Sequence, residues 1–373
     1  MLDVVAVRRD LHAHPELAFA EMRTTALIVE HLTSLGLDPE VLPGGTGVVC
    51  DFGSGGPLVA LRADIDALPL TDEKDVPYRS MVDGVCHGCG HDAHTAILLG
   101  AAAELAGQRL PGRIRLIFQP AEETVPGGAT SAVAAGVLDG VEQIFALHCD
   151  PRLPTGKIGL RVGPITAACD HVEVVLRGAG GHTARPHVTQ DVVYALGRLI
   201  TDLPGLLSRR VDPRAALSLV WGAVEAGRAS NAIPVSGRLR GTLRVFGRDA
   251  WDAAEPLVSR LVEQIVAPCG VQAETIYTRG VPPVVNAPTA VAMQRAAVRA
   301  ALGREAMADT EQSMGGEDFA WYLDKVPGAL ARLGVRPPGG EAFDLHQGTF
   351  DIDERALEVG VRYTVALVRA ALA

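Results

Sequence analysis

Residues 86–94, Cys-His-Gly-Cys-Gly-His-Asp-Ala-His, combine two thiols, three imidazoles and one carboxylate in nine positions. The apolar run Thr95–Leu105 follows directly and predicts a helix after this loop. Thiolate, imidazole and carboxylate groups are ligand types that bind zinc-like or manganese-like divalent ions. Two other interpretations stay open on this stretch alone: a helix N-terminus capped by polar residues, and a redox pair formed by Cys86 and Cys89.

Three apolar segments elsewhere in the chain are each followed by carboxylate or imidazole side chains. The segments and the residues that follow them are Leu58–Ala63 with Asp64 and Asp66, Arg113–Phe118 with Glu122 and Glu123, and Gln143–Leu147 with His148. In open α/β sheets, ligands bind at the carboxyl ends of the strands. Together with the Cys/His loop, this placement favours a metal site over a purely structural explanation.

The adjacent carboxylates Glu122 and Glu123 can have different roles. Neighbouring residues on an extended chain point in opposite directions, so one can bind a metal while the other faces the attacking water. A glutamate in the second position can accept the proton of that water and later deliver it to a leaving amine. A bound metal lowers the pKa of water from about 16 towards 7. The alternative is a solvated acidic pair in a loop.

The elements that position these residues alternate between strands and helices as far as Leu147, which predicts an α/β fold with a mixed, largely parallel sheet flanked by helices. The pattern changes near Ala167. The order strand–helix–strand–strand–helix–strand from Asp170 to Tyr277 predicts a ferredoxin-like α+β domain. Helices return after a proline-rich linker. We therefore predict a discontinuous catalytic domain, residues 1–167 and 282–373, with a second domain inserted at residues 168–281.

Composition excludes several classes of protein. A length of 373 residues suggests two domains. The formal net charge is −10 without a Lys/Arg-rich run, which argues against nucleic-acid or anionic-lipid partners. No apolar run reaches the roughly 18–20 residues that span a membrane. The six cysteines are too scattered for a disulfide framework. The N-terminus lacks a signal-peptide pattern, so we expect a cytoplasmic protein.

A set of short motifs, running from His12 to Glu354, resembles the metal-dependent amidohydrolases, the family of aminoacylases, hippurate hydrolases and auxin–amino acid conjugate hydrolases. The motifs are Cys-Gly-His-Asp-Ala-His, Arg-Ala-Asp-Ile-Asp-Ala-Leu-Pro, Phe-Gln-Pro-Ala-Glu-Glu, Ala-Leu-His, Gly-Gly-His-Thr-Ala-Arg-Pro-His, Asn-Ala-Ile-Pro, Gly-Glu-Asp-Phe and Leu-His. The resemblance implies a zinc-peptidase-like catalytic domain with two divalent ions. It also implies an inserted lid used for dimerisation, and hence a homodimer or higher homo-oligomer.

The resemblance assigns roles to particular residues of the catalytic domain. It implies Glu122 as the general base and Asp64 as a carboxylate that orients a ligand histidine. The implied metal ligands are Cys89, as a thiolate bridge between the ions, His91, Glu123, His148 and His346. From the residues alone, His346 would be read as a surface histidine.

Three residues of the inserted domain also receive roles from the resemblance. It implies that His182 stabilises the oxyanion of the tetrahedral intermediate, in its own or a neighbouring subunit. It implies that Asn231 and Arg244 contact the carbonyl or carboxylate of the substrate. From the residues alone, a turn histidine at His182 and an exposed strand arginine at Arg244 stay open.

The implied activity is hydrolysis of the amide bond of N-acylated amino acids by metal-bound hydroxide, with a small molecule as substrate. The thiolate favours zinc, while mixed oxygen and nitrogen ligation admits manganese, cobalt or nickel. A dipeptidase or carboxypeptidase is the nearest alternative, and a non-catalytic binding protein on the same fold is another. The Cys-Gly-His-Asp loop resembles the N-acyl amino acid branch of the family rather than the peptidase branch.

Overall fold

The computed structural model describes residues 2–373. These residues form two compact units. The first consists of the chain up to Ile165 together with Val285–Glu311 and Asp318–Ala373, and the second consists of Thr166–Val284 and Gln312–Glu317. Each unit has a sheet and helices of its own.

The bounds of the helices and strands are given below in chain order. The helices are α1 (Val4–Ala13), α2 (Met22–Ser34), α3 (His91–Leu105), α4 (Gly128–Ala134), α5 (Val192–Arg210), α6 (Arg248–Val266), α7 (Pro288–Ala301), α8 (Ala320–Leu323) and α9 (Arg355–Ala371). The strands are β1 (Glu40–Val41), β2 (Val48–Gly53), β3 (Leu58–Asp64), β4 (Arg113–Gln119), β5 (Gln143–Pro154), β6 (Ile158–Leu160), β7 (Gly163–Pro164), β8 (Ala168–Arg177), β9 (Gly181–His182), β10 (Ser218–Ala226), β11 (Ala232–Ile233), β12 (Ser236–Val245), β13 (Gln272–Val281), β14 (Val285–Asn286), β15 (Met307–Asp309) and β16 (Gly328–Arg336).

The main sheet of the first unit has the strand order β1-β2-β4-β3-β5-β16-β6-β15. Its central strands β4, β3, β5 and β16 run parallel to one another, whereas β1, β2 and β6 pair antiparallel with their neighbours β2, β4 and β16. Strand β3 is buried along its whole length, as is typical of parallel strands covered by helices. Helices α3, α7 and α9 pack against this sheet. The predicted fold class, a mixed and largely parallel sheet flanked by helices, is confirmed.

The carboxyl ends of parallel strands meet at one edge of the sheet. Asp64, the last residue of β3, pairs in register with Gln119, the last residue of β4. The chain leaves β4 towards Glu122 and Glu123 at this same edge. Strand β5 pairs in parallel with β3 on its other side, up to Arg62 opposite Ala146. All three strand ends that the sequence indicates therefore lie side by side.

Strand β5 is longer than its sequence indicates. The prediction ends the strand at Leu147, but the structure continues it to Pro154, because β16 pairs with β5 through Asp150 and again beyond a bulge. His148 therefore lies inside a strand, opposite Arg332 of β16. This pairing fixes the direction in which its imidazole points.

The second unit contains an antiparallel sheet in the order β10-β12-β8-β13. Helices α5 and α6 pack against it, and the chain order is β8, α5, β10, β12, α6, β13. A small separate ribbon pairs β9 with β11, with His182 opposite Ala232. None of the helices in residues 2–373 combines the length and apolar character needed to cross a bilayer.

Candidate metal centre

The loop that carries Cys89 and His91 is shaped by the glycine between them. Gly90 has a φ of 91°, in the left-handed region that favours glycine. A Cβ at this position would lie 2.9 Å from the sulfur of Cys149. The resulting turn starts α3 at His91, so this imidazole stands in the first turn of a buried helix.

His346 reaches this loop from the far end of the chain. Its backbone N–H donates to the carbonyl oxygen of Gly88 at 2.8 Å, and its φ of 60° is unusual for a residue with a side chain. Its Nε2 lies 3.2 Å from Oε1 of Glu123. The backbone contact thus joins the distant histidine to the Cys/His loop.

The predicted ligands and the predicted base lie together in one cluster of the first unit. Overlapping groups of donor atoms, each within 4.8 Å of one another, are Cys89 with His91 and His148, Cys89 with Glu123 and His346, and His91 with Glu122 and Glu123. Because Cys89 and His91 each belong to two of these groups, the three groups form one connected cluster of donor atoms.

The donor spacing fits direct coordination of a divalent ion. Sγ of Cys89 lies 3.6 Å from Nε2 of His148. Zinc bonds of about 2.1 Å to nitrogen and 2.3 Å to sulfur, at a tetrahedral angle, place two such donors about 3.6 Å apart. Nε2 of His91 is buried and has no hydrogen-bond partner among residues 2–373. A cation bound among these donors would give this nitrogen a direct partner.

Asp66 determines which nitrogen of His91 faces the cluster. Nδ1 of His91 lies 2.9 Å from the backbone oxygen of Asp66 and 3.2 Å from its carboxylate. With Nδ1 donating its proton there, Nε2 is the nitrogen that would bind a metal once its own proton is displaced. The Asp66 carboxylate also accepts the backbone N–H of Glu123 at 2.9 Å. The sequence indicates Asp66 only as a strand-end carboxylate, whereas the orienting role was predicted for Asp64 in the same Arg-Ala-Asp-Ile-Asp motif.

Asp64, predicted to orient a ligand histidine, hydrogen-bonds elsewhere. Its carboxylate lies 2.5 Å from Nδ1 of His94 and 2.6 Å from Arg62, but 3.7 Å from Nε2 of His91. Nε2 of His94 in turn accepts the backbone N–H of Cys149 at 2.8 Å. His94 is thus held at both ring nitrogens, and it ties α3 to β5 beneath the cluster.

The sequence pattern of peptidase family M20/M25/M40 matches residues 60–370 of this chain. The chain belongs to this family. The predicted family is therefore confirmed, and with it the class of enzyme, a metal-dependent hydrolase of amide bonds.

Individual members of the M20 family resemble the whole chain. An N-acetylcysteine deacetylase of Bacillus subtilis is 40% identical over 98% of this chain and 95% of its own length. The crystal structure of the YXEP protein of Bacillus subtilis, described as a dinuclear metal-binding peptidase, has a TM-score of 0.87 at 36% identity, covering 99% of this chain and 97% of that one.

A longer relative comes from Rhodococcus jostii. It carries a provisional name as a glutamate–cysteine ligase and is 54% identical over 98% of this chain. This chain spans only 46% of the length of that protein. The ligase name therefore describes a protein more than twice as long as the segment that matches.

The charges around this M20 centre favour a cation. Burial lowers the pKa of His91, but Asp64 and Cys89 outweigh it, and the pKa is raised well above its ordinary value. Burial, followed by the charge of Glu123, raises the pKa of the Cys89 thiol. Burial and the charge of Arg332 lower the pKa of His148, which keeps this imidazole in the neutral form that binds metals.

A buried network of hydrogen bonds and ion pairs around Arg62 lies beside the metal centre. The Arg62 guanidinium donates to Asp64 at 2.6 Å, to Gln119 at 2.9 Å and to Asp318 at 2.8 Å. Asp318 also accepts hydrogen bonds from the Gln119 amide at 2.7 Å and from the backbone N–H of Ala129 at 3.0 Å. These contacts connect the ends of β3 and β4 to the start of α4.

We expect replacement of Asp318 by Ala to destabilise the protein strongly. The change removes a partner of the buried Arg62 and an acceptor for Gln119, which costs about 3–5 kcal/mol. The midpoint of thermal unfolding, followed by circular dichroism, should fall by about 5–10 °C. The matched control is Glu274→Ala, which removes an exposed pair with Arg177 and should shift the midpoint by less than about 1 °C. A drop at Asp318→Ala no larger than the control would contradict this expectation.

The remaining predicted residues belong to the second unit. His182 lies in the exposed strand β9, and its Nδ1 accepts the backbone N–H of Ala184 at 3.0 Å. The carbonyl of Asn231 accepts the N–H of Thr183 at 3.2 Å, so His182 and Asn231 are close neighbours. Arg244 lies in β12, where its guanidinium donates to the carbonyl of Met314. Their roles in catalysis stay predictions.

Proposed function

We propose that this chain hydrolyses the amide bond of N-acylated amino acids, using two divalent ions held by its Cys/His/Glu cluster. The proposed ligands are Cys89, His91, Glu123, His148 and His346. The observation that supports the proposal is their convergence beside a second carboxylate, since Glu122 lies 4.0 Å from Nε2 of His91. That nitrogen is itself buried without a hydrogen bond to any described residue.

Glu122 is the proposed general base. The carboxylate of Glu123 contacts the imidazole of His346, and the carboxylate of the preceding residue, Glu122, lies in the same cluster of donor atoms. Divalent ions bound there would lower the pKa of water from about 16 towards 7 and polarise the amide carbonyl. Glu122 accepts the proton of the attacking water and then donates it to the leaving nitrogen. The products are a carboxylate and a free amino acid.

His182, Asn231 and Arg244 are the proposed contacts to the substrate. His182 would donate a hydrogen bond to the developing oxyanion. Arg244 offers a planar fork of N–H donors that suits a carboxylate, and Asn231 offers an amide for the carbonyl. We propose zinc as the ion because of the thiolate ligand, with manganese, cobalt and nickel as alternatives. We also propose a homodimer or higher homo-oligomer.

The substrate class is tested by measuring amine release with the metal-free protein reloaded with each of the four ions. The panel includes N-acetylcysteine, N-benzoylglycine, an indole-acetyl amino acid and a set of dipeptides. We expect kcat/KM for at least one N-acyl amino acid to exceed that for every dipeptide by tenfold or more. A higher kcat/KM for a dipeptide would favour the peptidase alternative. Two bound ions without hydrolysis of any substrate would favour a binding protein.

The turn at Gly90 gives a further prediction for this function. Gly90→Ala places a Cβ in contact with the sulfur of Cys149 and strains a φ of 91°. Because Cys89 and His91 flank this turn, we expect metal affinity, measured by chelator competition, to fall at least tenfold. Gly84 has a φ of 72° with open space around it, so Gly84→Ala should leave metal affinity within twofold. Equal affinities for the two variants would argue against a metal-positioning role for the turn.

A further inference from the structure

Glu21 is a buried carboxylic acid that lies outside the predicted metal ligands. It directly precedes α2 and has 0% exposed surface. Its Oε1 accepts the backbone N–H of Ala121 at 2.8 Å, across 100 residues of sequence. Its other oxygen is buried without a hydrogen-bond partner among residues 2–373. A glutamate is seldom buried so completely unless its carboxyl group has a specific partner.

The partner, Ala121, has an unusual backbone conformation. Its φ is 56°, although it is not a glycine. This left-handed conformation costs an alanine roughly 1–2 kcal/mol, so its surroundings must hold it there. Ala121 directly precedes Glu122, the proposed base, and Glu123, a proposed ligand. Its conformation therefore sets the direction in which both carboxylates leave the sheet.

The backbone is held on both sides of Glu122. Glu21 accepts the N–H that precedes it, at Ala121, and Asp66 accepts the N–H that follows it, at Glu123, at 2.9 Å. The carbonyl of Ala121 also accepts the N–H of Gly128 at 2.8 Å. Two carboxyl groups from separate segments thus fix the short turn that carries the proposed base.

The hydrogen bond to Ala121 does not require a charged Glu21. Burial raises the pKa of the Glu21 carboxyl, the nearby backbone N–H groups oppose this rise, and the charge of Asp66 adds to it. A carbonyl oxygen of a neutral side chain can accept the same N–H. Glutamine at position 21 should therefore keep the hydrogen bond to the Ala121 N–H.

We propose that Glu21 is a positioning residue, which holds the left-handed turn at Ala121 and thereby aims Glu122 and Glu123 at the metal cluster. The expected effect of Glu21 on kcat rests on the function proposed above. Its expected effect on the rigidity of the turn does not depend on that function.

The test compares Glu21→Ala and Glu21→Gln with a matched control, Glu16→Ala. Glu16 accepts the backbone N–H groups of Arg23 and Thr24 at 2.9 and 2.8 Å, so it too binds backbone at the start of α2. Glu16→Ala should lower the midpoint of thermal unfolding by about 2 °C and leave kcat and metal affinity within twofold. The readouts are hydrogen exchange of the Ala121 amide, metal affinity and kcat on the best N-acyl amino acid.

We expect Glu21→Ala to speed exchange of the Ala121 amide at least tenfold and to lower kcat or metal affinity by about 10–100-fold. Glu21→Gln should stay within threefold of the wild type in every readout. The double variant Glu21→Ala/Ala121→Gly should recover part of the loss, because glycine adopts a positive φ without a partner. This double variant and Glu21→Gln keep the test decisive if Glu21→Ala does not fold.

Wild-type exchange and wild-type kcat in Glu21→Ala would overturn the proposal. So would a Glu21→Gln variant as impaired as Glu21→Ala, since the charge would then matter rather than the hydrogen bond. If the wild type hydrolyses no amide substrate, the proposed function fails, while amide exchange and metal affinity still test the positioning role.

Discussion

Glu122→Gln is expected to bind two divalent ions as the wild type does and to lose about 1,000-fold in kcat. Glutamine keeps the size of the side chain but cannot accept the proton of the attacking water, and general-base catalysis contributes about 100- to 10,000-fold. KM should change by less than threefold, because the lost interaction arises during proton transfer. The measurement is steady-state amine release together with metal content per chain.

The neighbouring substitution, Glu123→Gln, is the matched control for Glu122→Gln. The two positions are adjacent, and both side chains lie within the cluster of donor atoms. Glu123→Gln should first lose metal affinity, and excess metal should restore part of its kcat. Excess metal should not restore Glu122→Gln. If Glu122→Gln kept at least a tenth of the wild-type kcat, the assignment of the base would be wrong.

Local sequence was sufficient to predict the site residues that lie close together in the sequence or at the ends of parallel strands. The Cys-Gly-His-Asp loop places two donors beside a glycine at the start of an apolar helix, and these features act over a few residues. The strand-end carboxylates were found because parallel strands bring their carboxyl ends together. Asp64 and Asp66 could not be told apart in this way, since residues two apart on an extended chain point to the same side.

The other half of the site depends on contacts between distant segments. The segment of His346 is held by long-range backbone hydrogen bonds, from the His346 N–H to Gly88 and from the Glu73 N–H to Gly348, and the His346 side chain is 54% exposed. Neither feature leaves a pattern in the sequence around it, so only the family resemblance indicated this residue. Glu21 contacts a residue 100 positions away and stands at a polar helix start. Nothing in its surroundings in the sequence distinguishes it from a surface glutamate.

Cys89→Ala is expected to lower the bound metal from two ions per chain to fewer than one and to reduce kcat/KM by at least 1,000-fold. Sγ of Cys89 belongs both to the donor group with His91 and His148 and to the group with Glu123 and His346. One substitution therefore removes a donor from both groups, whereas loss of His148 or His346 affects one. Metal content after dialysis and kcat/KM at saturating metal are the measurements.

Cys86→Ala separates a metal-binding thiolate from the alternative of a redox pair. Cys86 is buried three positions earlier; its sulfur lies 3.6 Å from the Lys74 ammonium group and belongs to a donor group with His12 and Asp72. If Cys89 acts as a metal ligand, Cys86→Ala should keep two ions and a kcat/KM within threefold of the wild type. If the two thiols act as a dithiol, both variants should lose activity equally and the wild-type activity should depend on added reductant. Equal losses with full metal content would therefore refute the thiolate bridge.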